Sequence, residues 1–238
     1  PLVGRDKLGR ALGSPGKDGA LVVEVNAIRH SPIAEKILAC QIAKKGDGAN
    51  TLDTLKDELG VDVSEDVDRV GFDKDVLAVS GFFQNLKLPP QIGEGTAYGD
   101  GGRLFTIKDD DGKNMVVGKV GDELLVTGFD EAQVKAAIDR AEGRAVADSE
   151  FPSGLAGGEV YGLVGKAFLA DLLSDEKDPT VQRLLQVVQK TSLQLAVDDA
   201  AALSVDIEAN SPEEGKDLGK ALGGMISMAR QQAMANGD

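Results

Sequence analysis

The chain of 238 residues has no tryptophan, one histidine, one cysteine and two tyrosines, and aromatic residues make up only 4% of it. Each shortage closes off a class of chemistry. His30 alone cannot supply a multi-histidine zinc, copper or non-haem iron centre, and Cys40 alone cannot form an intrachain disulfide. With so few rings the core has to be built from Val, Leu, Ile and Ala, and a sugar cleft would lack aromatic platforms. No run approaches the ~20 apolar residues of a transmembrane helix. Positive charge is scarce too: 26 Lys and Arg stand against 40 Asp and Glu, a net charge of −14. The first 50 residues carry 8 basic and 5 acidic side chains, and the other 188 carry 18 and 35. A surface this negative repels phosphate backbones and anionic lipid heads, which argues against nucleic acid and leaves an unknown protein partner or self-association.

The rest of the composition is that of an ordinary globular protein, 42% hydrophobic and 28% charged, long enough to bury a core without a disulfide or metal. Residues 1–19 hold five glycines and two prolines and read as a flexible N-terminal arm. Residues 20–27 are rich in Val and Leu and predict a first strand. Ser31 and Pro32 would cap and start a helix carrying Ile33, Ile37, Leu38 and Ile42, with a short second helix over 51–59. Residues 67–83 read as strand, turn, strand around Asp73-Lys74, and 88–102, with its prolines and glycines, as a loop. A meander over 103–108, 114–120 and 123–127 turns at Asp111-Gly112 and Gly121-Asp122, and Asp130 caps a helix to Glu142.

The second half replays part of this order. A strand over 159–165 is followed by helices over 166–173 and 180–189. Strands then carry Leu193, Leu195, Val197 and Leu203, Val205, Ile207, and a long helix starts at Ser211-Pro212. The expected class is α+β: mostly antiparallel sheet with helices packed on one face, and an internal duplication. Residues 20–151 would form a first unit and 152–238 a second that shares a continuous core with it.

Candidate sites are few, and each has a plainer reading. His30 sits where a general base could, but no G-x-S-x-G nucleophile turn accompanies it. Ser80 and Ser153 only imitate one. Cys40 lies beside a helical apolar stripe without a basic cluster to activate it. Asp109, Asp111 and Gly112 match three positions of an EF-hand loop, but its first and twelfth positions would fall on Ile107 and Gly118, so a hairpin tip is the better reading. The carboxylate pairs Asp57/Glu58 and Glu65/Asp66/Asp68 could in principle serve glycoside hydrolysis. Gly93-Glu94-Gly95 and Gly99-Asp100-Gly101-Gly102 lack the Gly-Lys-Ser/Thr ending of a phosphate loop. These residues call for no catalytic centre, metal or cofactor.

The final helix holds the least ordinary feature. Gly215, Gly219 and Gly223 recur every fourth residue, and each interior glycine costs about 1 kcal/mol relative to Ala. Their spacing predicts close approach by another backbone, either the protein's own sheet or a partner.

The segment GRLFTIKDDDGKNMVVGKVGDELLVTGFDEAQVKAAIDRAEG resembles the core of uncharacterised bacterial envelope proteins, many of them exported or lipid-anchored. Those proteins open with an apolar strand like ALVVEVNAIRHSP and repeat it, as in GEVYGLVGKAFLADLL here. The resemblance implies a duplicated α+β fold and an extracytoplasmic location, with a leader expected upstream of Pro1. It carries no catalytic residues. The expected function is that of a non-enzymatic, soluble envelope protein acting by binding or structural contacts; a carrier of an apolar ligand such as a lipid and a carboxylate-based hydrolase are the alternatives.

Overall fold

The computed structural model describes residues 6–13, 18–31, 60–87, 92–108, 112–146, 157–172, 179–197 and 201–236. Helix α1 (Lys7–Ala11) leads to β1 (Gly19–Val23) and α2 (Val25–Arg29). Then come α3 (Val63–Asp66), β2 (Val67–Phe72), β3 (Leu77–Gly81), β4 (Thr96–Tyr98), β5 (Gly102–Lys108), β6 (Asn114–Val120), β7 (Leu124–Gly128) and α4 (Glu131–Ala141). The second half supplies β8 (Val160–Gly165), α5 (Lys166–Leu172), α6 (Pro179–Val187), β9 (Val188–Val197), β10 (Ala201–Ala209) and α7 (Pro212–Asn236). The ten strands of the described residues join one antiparallel sheet in the order β10-β9-β8-β1-β2-β3-β7-β6-β5-β4. The class is α+β, as the strand and helix periods imply. The sheet runs unbroken through the antiparallel pairing of β1 with β8, Leu21 opposite Gly162. Outward from that pair the order reads alike in both directions, β2 then β3 on one side and β9 then β10 on the other.

One face of the sheet is covered by α1 and α4. Ala20, Val22, Ala78, Leu104, Val116, Val120, Leu124 and Val126 project there and meet Val134, Ala137, Ile138 and Ala141 of α4 in one buried cluster. The α4 stripe falls at helical spacing, and Asp130 starts it by accepting a hydrogen bond from the Ala132 amide at 2.8 Å. Gly118 of β6 makes room for this helix, because a Cβ there would stand 2.5 Å from Ile138 Cδ1.

The first correction concerns the N-terminus. Residues 6–13 are not a flexible arm: Leu8, Ala11 and Leu12 are buried, at 1%, 0% and 0% exposure. Spaced i, i+3 and i+4, they form one side of α1, and Asp6 caps it by accepting from the Gly9 amide at 2.8 Å. The helix lies on Gly71 of β2, where an added Cβ would approach Leu8 Cδ2 to 2.8 Å. Two arginines fix α1 to α4 reciprocally. Arg10 Nη2 donates to the Ala141 carbonyl at 2.7 Å, and Arg140 Nη2 donates to the Ala11 carbonyl at 2.6 Å. Each helix thus supplies the cation that satisfies the last carbonyls of the other.

The second correction concerns the opposite face, which also carries helix. Phe72 shares that side with Leu21 and Leu77, and Phe168 of α5 packs edge-on against it with ring centroids 6.0 Å apart. A smaller cluster of Val61, Val67 and Phe83, with Val25, Val70, Val79 and Leu125 against it, lies near the α3 end. Helices therefore pack on both faces. Strand β8 shows this directly, since Tyr161 to Gly165 are all buried whichever way they point.

Smaller differences follow local chemistry. The first strand stops at Val23, where the Glu24 amide makes a last bond to the Glu159 carbonyl at 2.7 Å, and α2 takes the next residues. The expected loop over 88–102 contains the short strand β4, and β9 starts at Val188 rather than Ser192. The meander, the β2–β3 hairpin, α4, β8, α5, β10 and the start of α7 lie where the residue patterns put them, and α6 ends at Val187 where β9 takes over. The helices expected over 32–59 lie outside the described residues.

Candidate functional site

A cleft of about 200 Å³ opens between α1 and the β2–β3 turn, lined by Gly13, Asp18, Asp73, Lys74, Asp75 and Arg140 among others. Its charged groups hold the fold. One oxygen of Asp73 accepts from the Asp75 and Val76 amides at 2.8 and 2.9 Å, closing the hairpin turn. Its other oxygen accepts from the Gly13 amide at 2.8 Å, tying down the end of α1. Arg140 reaches across to the Ala11 carbonyl, and Lys74 Nζ stands 3.6 Å from Asp18. Partial desolvation pushes the Asp75 carboxyl upward, with Lys74 opposing.

A second group of polar side chains bridges the two halves of the sheet. Tyr161 of β8 donates its hydroxyl to Glu24 at 2.9 Å. Arg69 of β2 stands 3.8 Å from the same carboxylate and donates to Asp6 at 2.8 Å. Burial, then the charge and hydrogen bond of Glu24, pushes the Tyr161 hydroxyl well above the ordinary phenol range. Asp6 and Glu24 hold the Arg69 guanidinium above its usual value against the opposing effect of burial. The arrangement places a cation between two anions and lets a phenol satisfy the outer one, which is how a half-buried ionic group is made tolerable.

This network has a pH signature. A phenol that ionises less readily in the folded state favours folding fully below about pH 10, where the unfolded phenol titrates, and that contribution is lost as pH rises further. Chemical denaturation at a series of alkaline pH values should show stability declining above about pH 10 in the parent. In Tyr161→Phe the decline should be shallower; parallel declines would mean the hydroxyl is not held in this way.

The third group lies on the outer side of α4. Tyr98 donates to Asp139 at 3.0 Å, Arg144 Nε donates to the same carboxylate at 3.0 Å, and Arg144 also pairs with Glu142. Lys135 and Arg144 both sit over the Tyr98 ring, at 5.3 and 5.6 Å. The group anchors the short strand β4 to α4.

The residues singled out from sequence are scattered. His30 is exposed and ends α2, its amide bonded to the Asn26 carbonyl at 3.4 Å. Ser80 lies in mid-strand on β3 beside Arg69 and Leu124, not on an exposed turn, and its hydroxyl is buried without a hydrogen-bond partner. Asp66 accepts from the Asp62 amide at 2.8 Å and closes the single turn of α3. Gly112 adopts φ 77° in the connection from β5 to β6, where Lys108 pairs with Asn114 across the antiparallel ladder. Gly99-Asp100-Gly101 is the β4–β5 turn, and Gly93 and Gly95 lead into β4. Cys40, Asp57, Glu58, Asp109, Asp111 and Ser153 lie outside the described residues.

In the glycine stripe of α7, Gly215 lies near the sheet, where an added Cβ would make ordinary contact with Ala209 at 3.6 Å, and Gly219 and Gly223 have open space around them among the described residues.

The feature that sequence reading missed lies one element earlier. Leu203 and Val205 of β10 are 63% and 44% exposed, although their alternation marks a core-facing row. Across the ladder they pair with Leu195 and Leu193 of β9, so an apolar strip runs along the outer end of the sheet.

No family model matches this sequence, and no curated protein aligns with it significantly. Among solved structures, crystal form I of TP0453 is similar, with a TM-score of 0.47 and 14% identity over 87% of this chain and 79% of that one. Crystal form IV of the same protein gives a TM-score of 0.47 and 13% identity over 84% and 79%. The likeness is one of backbone course. Among the described residues no helix is long and apolar enough to cross a membrane, and no group of three or more His, Cys, Asp or Glu is placed to hold a metal ion.

Proposed function

We propose that this protein works by contact with other macromolecules rather than by turnover, as a binding or structural component of the bacterial envelope. One observation carries the reading: in the cleft, Asp73 and Arg140 are each bonded to backbone that they hold in place. A carboxylate accepting three amides and a guanidinium covering a helix end are oriented by the fold, which supports a structural use of both groups. The lining is polar, so this cleft does not suit an aliphatic chain. The exposed apolar strip of β9 and β10 supports contact as the mode of action, because adjacent uncovered aliphatics on a strand commonly mark an interaction surface.

The mirrored strand order about the β1–β8 pair supports a duplicated origin. In each half a strand is followed by helix and then by a hairpin, and only the first half adds the β4–β7 meander and α4.

The test uses Asp73→Ala beside the parent. The variant should lose three hydrogen bonds and melt about 5 °C lower. Neither protein should cleave chromogenic esters, phosphates or glycosides above a blank. Turnover by the parent that vanishes in a still-folded Asp73→Ala would overturn the reading.

A further inference from the structure

We propose that β10 is a pairing edge for a second copy of this chain, the two strands running antiparallel about a twofold axis at Val205. The inference rests on the contact reading above and names the partner.

The two ends of the sheet are unlike. At one end β4 has three residues and lies between Gly95 and Gly99, whose φ values of 68° and 72° turn the chain away on either side. At the other, β10 runs for nine residues, is paired with β9 along its length, and has no strand on its outer side among the described residues. Edge strands are usually blunted by charged side chains, Lys above all, by Pro, by bulges or by brevity. The sequence AALSVDIEA is long and has no Lys or Pro; its two charges, Asp206 and Glu208, lie on the face away from Leu203 and Val205, and its bulge falls at the far end, at Glu208/Ala209. Its outer row of Leu203, Val205 and half-buried Ile207 is apolar, and Gly215 near the start of α7 stands against Ala209 at the end of that row.

The strand is complementary to itself. Antiparallel pairing centred on Val205 overlaps all nine residues and sets Leu203 opposite Ile207 of the second copy. On the other face it sets Ser204 opposite Asp206 and Ala202 opposite Glu208, so no carboxylate lies directly opposite a carboxylate and the two copies of Asp206 are only diagonal neighbours. Moving the axis to Asp206 would bring that side chain against its own copy. Charge thus selects against that register, and directly opposed like charges weaken a ladder.

The chain itself shows the same edge closed. Counting outward from the β1–β8 pair, β3 holds the place on one side that β10 holds on the other. The outer edge of β3 takes an antiparallel strand, β7, with Leu77 opposite Thr127 and Ala78 opposite Val126. A second copy of β10 would give β10 the neighbour that β7 gives β3, and closed twofold pairing leaves no further edge at that end for chain growth.

Sedimentation velocity on the full chain tests this through Ser204, which is exposed and faces Gln194 in its own sheet. The parent should pass from monomer to dimer as concentration rises to about 200 μM. Ser204→Asp would put Asp against Asp206 twice in the dimer and should raise the dissociation constant about tenfold, while Ser204→Lys should lower it several-fold. Both variants should keep the parent melting temperature. A parent that stays monomeric at the highest concentration would overturn the proposal. So would variants that leave the dissociation constant unchanged or move it in the same direction, since that places any association elsewhere. A monomer leaves the contact reading standing; that reading falls only if the cleft proves to support turnover dependent on Asp73.

Discussion

Replacing Leu8 and Leu12 together by Ala should lower the melting temperature by about 15–20 °C. Both side chains are fully enclosed between Gly71 and α4, with exposures of 1% and 0%, and the wall they face is a strand backbone that cannot collapse inward to fill the space. A buried Leu-to-Ala change costs about 2–5 kcal/mol, so the pair removes about 6 kcal/mol from a protein whose whole stability is about 5–15 kcal/mol. Thermal melts of the single and double variants by circular dichroism would show it. The result distinguishes a core helix from an arm that merely rests on the surface: a fall of less than about 3 °C would mean that residues 6–13 do not pack as described.

The second large effect is expected at the reciprocal arginines. Arg10 bonds the carbonyl that ends α4, and Arg140 bonds the carbonyl that ends α1. Hydrogen bonds from charged donors contribute about 1.5–3 kcal/mol each, and here the geometry matches a cation to the negative end of a helix. Arg10→Ala and Arg140→Ala should each lower the melting temperature by about 5 °C, and the double variant by about 10 °C. Lysine should restore only part of the loss at either site, because a single ammonium cannot reproduce the two-nitrogen contact that Arg140 makes with Ala11 at 2.6 and 3.1 Å. Full recovery with lysine would mean that only charge matters at these positions.

How far the sequence reveals this fold depends on whether the deciding contacts are local. The β5–β6–β7 meander and α4 are legible because Gly112 and Gly121 mark the tips and Asp130 marks the helix start, all within the elements they bound. Helix α1 is not legible. Its stripe is three residues in a glycine-rich stretch, and its stability comes from α4 and from Gly71 on β2, far away in sequence. Helix α2 hides for the opposite reason, since Val25 and Ile28 extend a run of strand-forming residues and only the chain's departure from the sheet at Glu24 turns them helical.

The candidate sites divide in the same way. Asp73 is readable as a turn residue, but its bond to Gly13 and its neighbour Arg140 are brought together only by packing. The Tyr161–Glu24–Arg69–Asp6 network joins residues of four separate segments and leaves no spacing to recognise. On β10 the alternation of Leu203, Val205 and Ile207 correctly gives one shared face. Period two says which side chains point together, however, and not whether anything lies over them.

Amide hydrogen exchange of residues 201–209 in the 238-residue chain, followed at about 5 μM and about 200 μM, tests the central claim most directly. Alternate amides of this strand point away from β9, and pairing with a second copy should slow their exchange at the higher concentration while the amides of β4 exchange equally at both. Identical exchange of those β10 amides at the two concentrations would contradict the proposal that this edge pairs with a second copy of the chain.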